Sequence, residues 1–203
     1  MAFSGFSTSN YVRILTALSS GQPLTLAAWV YSTSTATQNI IVNNAPTNAS
    51  SVGIALSGSS VIAYTNSAVA TTTSNYSINQ WQHICAVFAS TTNRSVFLNG
   101  GSKGTNTALQ ATVGLDRTNI GVFGSGTTVG DPLIGQIAEV GIWNVALEDS
   151  EVASLFKGFT PAQIRPQSLV AYLPLIRTNQ DIKGNEWTTV GSLTAAGHPR
   201  IYS

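Results

Sequence analysis

Short runs in which apolar and polar positions alternate with period two, each closed by turn residues, recur along this chain, and that is the signature of half-buried strands. Leu24, Leu26, Ala28 and Val30 alternate with Thr25, Ala27, Trp29 and Tyr31, which predicts a strand with two filled faces. Gln38 to Val42 predicts a second strand, ended by Asn43-Asn44 and Pro46. Ser51 to Leu56 and Ser60 to Tyr64 flank Ser57-Gly58-Ser59 and read as a hairpin. Trp81 to Phe88 and Ser95 to Leu98 flank a polar loop at Ala89 to Arg94, and Asn99-Gly100-Gly101 then reverses the chain. Asn119 to Phe123 and Leu133 to Trp143 complete the series, with Gly135 and Gly141 predicting a bulge or a close backbone approach in the last run.

One segment breaks the period. Glu148-Asp149-Ser150-Glu151 places negative charge at a helix start, and Val152, Leu155 and Phe156 follow on one face before Lys157-Gly158. Thr160-Pro161 predicts a capped short turn to about Ile164, and Leu169 to Leu175 returns to strand character, with Pro174 marking an edge or an end. Residues 176–203 are the least regular. Strands do not alternate with helices, so a parallel sheet is disfavoured. The expected fold is all-β: a two-sheet antiparallel jelly-roll sandwich with one short helix after the last long strand. One domain over residues 1–203 is expected, its core about 1–157 and a C-terminal extension at 158–203 packing on it.

Composition sharpens this picture. Hydrophobic residues make up 43% of the 203 but charged residues only 8%, against about 25% in an ordinary soluble domain. The polar surface therefore falls to 24 Ser, 24 Thr and 15 Asn, residues that suit half-exposed strands and turns. Net charge is +1 with no basic run, which argues against nucleic acid as a partner. Low charge leaves little repulsion between copies, consistent with a homo-oligomer. No apolar window is long enough for a membrane helix, and the first residues lack the pattern of a secretory signal. The chain is therefore expected to be made in a cytoplasm. The Asn-x-Ser matches at Asn48, Asn75 and Asn93 are what chance gives in so Asn- and Ser-rich a sequence. Cys85 is the single cysteine and lies in an apolar run, so it reads as a buried structural thiol.

Several segments in order resemble the laminin-G-like members of the concanavalin A-like lectin/glucanase superfamily. Phe3-Ser4-Gly5 and Asn10-Tyr11-Val12 look like that family's first strands, and Leu24 to Val30 like its first long core strand. Asn79-Gln80-Trp81-Gln82-His83-Ile84 is similar to its Trp-x-His segment, and Val96-Phe97-Leu98-Asn99-Gly100 to the strand and turn that follow. Ile134 to Leu147 looks like its last long strand. The resemblance covers residues 1–157 and implies a structural hydrogen bond for His83. The tail, Gly158 to Pro166 with Leu169 to Leu175 and His198-Pro199-Arg200-Ile201, is similar to endings of laminin-G-like proteins of tailed bacteriophages. That similarity implies a virion structural protein, foremost a capsid decoration (cement) protein, with other virion proteins as partners and a trimer as the favoured oligomer. The alternative is a lectin-like module of a tail fibre or adhesin that binds surface glycans.

Candidate chemistry is sparse. A glycosidase needs two carboxylates flanking the scissile bond, and the only cluster among four Asp and four Glu is the helix start. Glu139 stands apart in its strand, with Ile137 and Gly141 as expected same-face neighbours. The two histidines, His83 and His198, meet no nucleophile elbow. No enzyme activity and no cofactor are expected. Calcium is weighed because relatives carry it: Asp131 and Asp116 lie in loop-like stretches as candidate ligands, while Asn10 stands where relatives often carry Asp. For glycan binding, Tyr64, Tyr76 and Trp187 are the aromatics expected to be exposed, whereas Trp29, Trp81 and Trp143 read as packing anchors.

Overall fold

The computed structural model describes residues 2–19, 21–47 and 49–199. Asn48, and the Arg200-Ile201 end of the tail motif, lie outside the described residues. In chain order the strands are β1 (Ala2–Ser4), β2 (Tyr11–Ile14), β3 (Leu24–Ser32), β4 (Gln38–Asn44), β5 (Ser51–Ser57), β6 (Ser60–Thr65), β7 (Ala68–Thr71), β8 (Trp81–Ser90) and β9 (Asn93–Leu98). They continue as β10 (Gly101–Asn106), β11 (Arg117–Ile120), β12 (Phe123–Gly124), β13 (Val129–Gly130) and β14 (Gly135–Trp143). Helix α1 (Asp149–Phe156) and a 3-10 turn at Pro161–Gln163 precede β15 (Leu169–Leu173), β16 (Thr188–Val190) and β17 (Thr194–Ala196).

The strands form two antiparallel sheets packed as a sandwich. The larger runs β10-β9-β8-β3-β14-β1-β17, with β15 also paired to β14; the smaller runs β16-β2-β11-β4-β5-β6-β7. Period-two alternation explains the core between them. Leu24, Leu26, Ala28 and Val30 of β3 and Ile84, Ala86 and Phe88 of β8 point inward against Ile41, Val52, Ile54, Val61 and Ala63 of the smaller sheet. The expected loop at Ala89 to Arg94 is a tighter turn, because β8 continues to Ser90 and β9 begins at Asn93. Arg94 explains the extension: it is fully buried and donates to the Thr91 and Ala108 carbonyls at 3.0 and 2.9 Å, tying the hairpin to the following loop. Where β10 meets β7, Gly104 lets the two backbones touch, since a Cβ there would collide with the Thr71 carbonyl.

The C-terminal extension is woven into both sheets. β15 pairs with β14, β16 adds to β2, and β17 adds to β1. β1 and β15 share one edge of β14, β1 opposite Gln136 and Ile137, β15 opposite Val140 to Trp143. Between them the register against β3 shifts at a bulge, with Glu139 in the left-handed region at φ 54°. The bulge corrects the expected neighbours of Glu139. Ile137 faces the inter-sheet core, while Glu139 turns to the opposite side, where Ala27, Trp29 and His83 lie.

Both outer faces are partly covered. On the larger sheet, α1 and the 3-10 turn bury a second apolar cluster that includes Cys85, Phe97, Trp143, Val152, Leu155 and Ile164. Glu148 and Glu151 cap α1 reciprocally, as its acidic start predicts. On the smaller sheet, Phe123 of the β12-β13 ribbon packs over Val42, Ala55 and Tyr64. The Asn119 amide donates to the Asn44 side chain at 3.2 Å and to the Gly124 carbonyl at 2.6 Å. That amide-rich face is therefore roofed at its centre.

Candidate functional site: an aromatic strip on the helix side

Alternation along β3 puts Trp29 and Tyr31 on the outer face of the larger sheet, and the same parity does so for Trp81 and His83 of β8. The register sets Tyr31 opposite Trp81 and Trp29 opposite His83. Tyr31 and Trp81 meet edge to face with centroids 5.9 Å apart. Trp29 stands edge to face on His83 at 5.5 Å and stacks on Phe156 of α1 at 6.1 Å. Phe156 is 40% exposed, and Phe159, 49% exposed, borders the same small cavity as Trp29. Trp29, Tyr31 and Trp81 are half-buried, and every other Trp and Tyr among the described residues is buried. Among the described residues, the accessible indole and phenol surface thus lies as a strip on one face of the larger sheet. The row through Trp81 and Tyr31 continues across neighbouring strands as Gln136, Ser4 and Thr194, all uncharged.

The expected packing anchors Trp29 and Trp81 are only half-buried, each still packed against a neighbouring ring. α1 covers only the half of the sheet near Trp143, which is fully buried with its Nε1 donating to the Ile164 carbonyl at 2.7 Å. Trp29 is left at the helix margin, and Trp81 beyond it.

The three aromatics expected to be exposed lie in three separate places and are all buried. Tyr64 lies flat over Gly53, where a Cβ would strike its ring, and donates to Asn39 Oδ1 at 2.7 Å. Burial, aided by the Asp131 charge, raises its phenol far above the ordinary value. Tyr76 reaches the Ser34 and Gly58 carbonyls at 2.9 and 3.0 Å, which closes one end of the sandwich. Trp187 donates to Asp181 Oδ2 at 2.9 Å beneath the C-terminal extension.

The carboxylates are dispersed. Asp116 is held by Arg117 through bonds of 2.7 and 2.9 Å, which lower its pKa. Asp131 is exposed, at φ 47°, and its carbonyl accepts from the Asn39 amide at 2.8 Å. No group of three His, Cys, Asp or Glu side chains is gathered for a metal among the described residues. On the helix, Asp149 pairs with Lys103 at 2.8 Å and Glu151 with Arg165 at 2.6 Å.

Glu139 was met in the sequence as an isolated acid, and the fold gives it company. It is buried and accepts from the Tyr172 hydroxyl, while its other oxygen lies 2.9 Å from His198 Nε2. His83 is also buried, and burial lowers its pKa to about 3, which makes it a neutral imidazole. The implied hydrogen bond at His83 belongs to its backbone: the main-chain N–H donates to Asn99 Oδ1 at 3.0 Å, and ring Nδ1 has no partner.

The family model described as the concanavalin A-like lectin/glucanases superfamily, of the laminin-G type, matches residues 6–153. No curated protein sequence matches the chain. Among solved structures, the heptameric SAP-like pentraxin of Limulus polyphemus superposes with a TM-score of 0.69 at 14% identity, covering 95% of this chain and 92% of that one. A Bacteroides ovatus protein described as a candidate carbohydrate binding protein gives 0.63 at 16% identity, over 96% of this chain and 61% of the other. Domain 4 of AbnA, a GH43 extracellular arabinanase from Geobacillus stearothermophilus solved with arabinotriose, gives 0.57 at 18% identity, over 71% of each.

Proposed function

The chain belongs to the concanavalin A-like lectin/glucanases superfamily, and from that premise we propose that it is a non-enzymatic carbohydrate-binding module whose site is the aromatic strip. The observation that carries this reading is the gathering of Trp29, Tyr31 and Trp81, the described Trp and Tyr residues that are not buried, into one strip with Phe156. Sugar rings present apolar C–H faces that settle on aromatic planes, and neighbouring neutral polar groups orient their hydroxyls. Gln136, Ser4 and Thr194 supply such groups along the same row. Two ring pairs on one face, Phe156 with Trp29 and Tyr31 with Trp81, suit a chain of several sugars better than a single one. The Bacteroides ovatus protein and the arabinanase domain, whose own descriptions name carbohydrate, support the same class of function. The scattered carboxylates support binding without hydrolysis. A glycan array probed with the purified chain, with and without Ca²⁺, tests the proposal. Selective binding of neutral oligosaccharides is expected, and silence across the array would remove it.

A narrower reading places the module on a bacteriophage particle, as a trimeric capsid decoration protein or in a tail fibre. It rests on the likeness of residues 158–201 to phage-encoded endings. Light scattering and co-sedimentation with empty capsids decide it, and a monomer that leaves capsids bare would discard it.

A further inference from the structure

Beneath the strip, at the Trp29 end, lies a small cavity bounded by Ala27, Trp29, His83, Glu139, Leu155, Phe159 and Pro161. It has room for about one water-sized group. Its walls are apolar except for two side chains, and both are more than nine-tenths buried: His83 at 2% exposure and Glu139 at 5%. The His83 ring has a nitrogen with no partner, Nδ1. Glu139 is brought here by a backbone in the left-handed region at φ 54°, a conformation costly for a residue with a Cβ. A buried imidazole with an unpartnered nitrogen, facing a cavity whose other polar wall is a carboxylate on a strained bulge, is an arrangement that a ligand group would complete.

We propose, building on the carbohydrate-binding reading above, that this cavity is the specificity pocket of the strip. It receives the hydroxyl of a hydroxymethyl arm on the sugar stacked against Trp29, with the His83 ring and the Glu139 carboxylate as its hydrogen-bonding partners. Size and chemistry select that group. A hydroxyl is water-sized and both donates and accepts, so it satisfies an acceptor carboxylate and a neutral imidazole of either tautomer. A carboxylate would face Glu139 with like charge, and an ammonium has nothing with which to accept a hydrogen bond. Apolar walls raise the penalty for leaving the His83 ring nitrogen without a partner, so a sugar that lacks the arm is rejected more strongly than a lost contact alone would explain.

The test is titration calorimetry of the whole chain with cellopentaose, mannopentaose and galactopentaose against xylopentaose, whose rings lack the hydroxymethyl arm. The wild type is expected to bind at least one hexose chain about tenfold or more tighter than xylopentaose. His83→Phe reduces that preference to below about threefold by weakening the hexose chain more than xylopentaose, whereas Trp29→Ala weakens both. The ring ¹⁵N shifts of His83, assigned with the help of His198→Gln, provide a readout in the unmutated pocket: the hexose chain moves them and xylopentaose does not. A preference that survives His83→Phe with silent His83 shifts overturns the pocket alone. Equal hexose and pentose affinity does the same. No binding of any of the four chains overturns the pocket, and silence across the glycan array as well overturns the reading on which it rests.

Discussion

Asp181 is buried, and its carboxylate accepts four hydrogen bonds that fasten the C-terminal extension to the sandwich. Oδ1 accepts from the Tyr172 amide at 2.9 Å and the Lys183 amide at 2.8 Å; Oδ2 accepts from the Asn185 side chain at 2.6 Å and Trp187 Nε1 at 2.9 Å. Asp181→Ala leaves the buried Tyr172 and Trp187 donors without partners. Each such loss costs about 1–3 kcal/mol, so a destabilisation of ~3–5 kcal/mol is expected. The Lys183 and Asn185 groups recover water at the surface and add little. Asp181→Asn keeps an acceptor for the two backbone donors but turns an NH₂ toward the Trp187 and Asn185 donors, so it should cost about half as much. Urea denaturation followed by tryptophan fluorescence measures both, through the shift in midpoint at constant slope. A loss below about 1 kcal/mol for Asp181→Ala, or equal losses for the two variants, would show that the Asp181 carboxylate does not fasten the extension.

Three further predictions concern the frame around the strip. Because burial lowers the His83 pKa to about 3, the unfolded chain takes up a proton below about pH 6.5 that the native state refuses, so stability falls as pH drops between those values. His83→Phe abolishes that contribution and should gain ~2 kcal/mol on the wild type between pH 7.5 and 5, with His198 common to both; parallel pH profiles would contradict this. Gly104→Ala forces a Cβ into the Thr71 carbonyl, and neither backbone can retreat. A loss of ~3 kcal/mol or more in chemical denaturation is expected, and a neutral effect would show that the two sheet edges are looser than described. Cys85 is fully buried, which raises its thiol pKa; an aromatic disulfide reagent should react with it only after denaturant is added, and rapid reaction of the native protein would contradict its placement.

The sandwich was legible in the sequence because its strands carry period two. Leu24 to Tyr31, Trp81 to Phe88 and the Ser57–Ser60 hairpin are visible without any tertiary knowledge, and the capped acidic start of α1 is equally local. Exposure was less legible, because it depends on what returns to cover a face. Trp187 reads as a surface aromatic until Asp181, six residues earlier, folds over its indole nitrogen. Tyr64 reads the same way, although Gly53 opposite it on β5 leaves space for its ring to lie flat. Trp29, Trp81 and Trp143 have identical strand patterns, and only the landing place of α1 divides them into one anchor and two members of a strip. The parity of β3 and β8 does place Trp29, Tyr31, Trp81 and His83 on one face, and that was the available signal. Glu139 was hidden for another reason: a bulge shifts its phase against Ile137, and period-two reasoning assumes that none is present.

On the proposed function the aromatic strip is where this module meets its ligand, which calorimetry of strip variants can map. With the strongest ligand from the array, Trp29→Ala and Trp81→Ala should each weaken binding by about tenfold or more, while the melting temperature stays within a few degrees. Val69→Ala, an exposed position on the smaller sheet, should change affinity by less than about twofold. Affinity that survives both tryptophan substitutions, or that falls in Val69→Ala instead, would contradict the account.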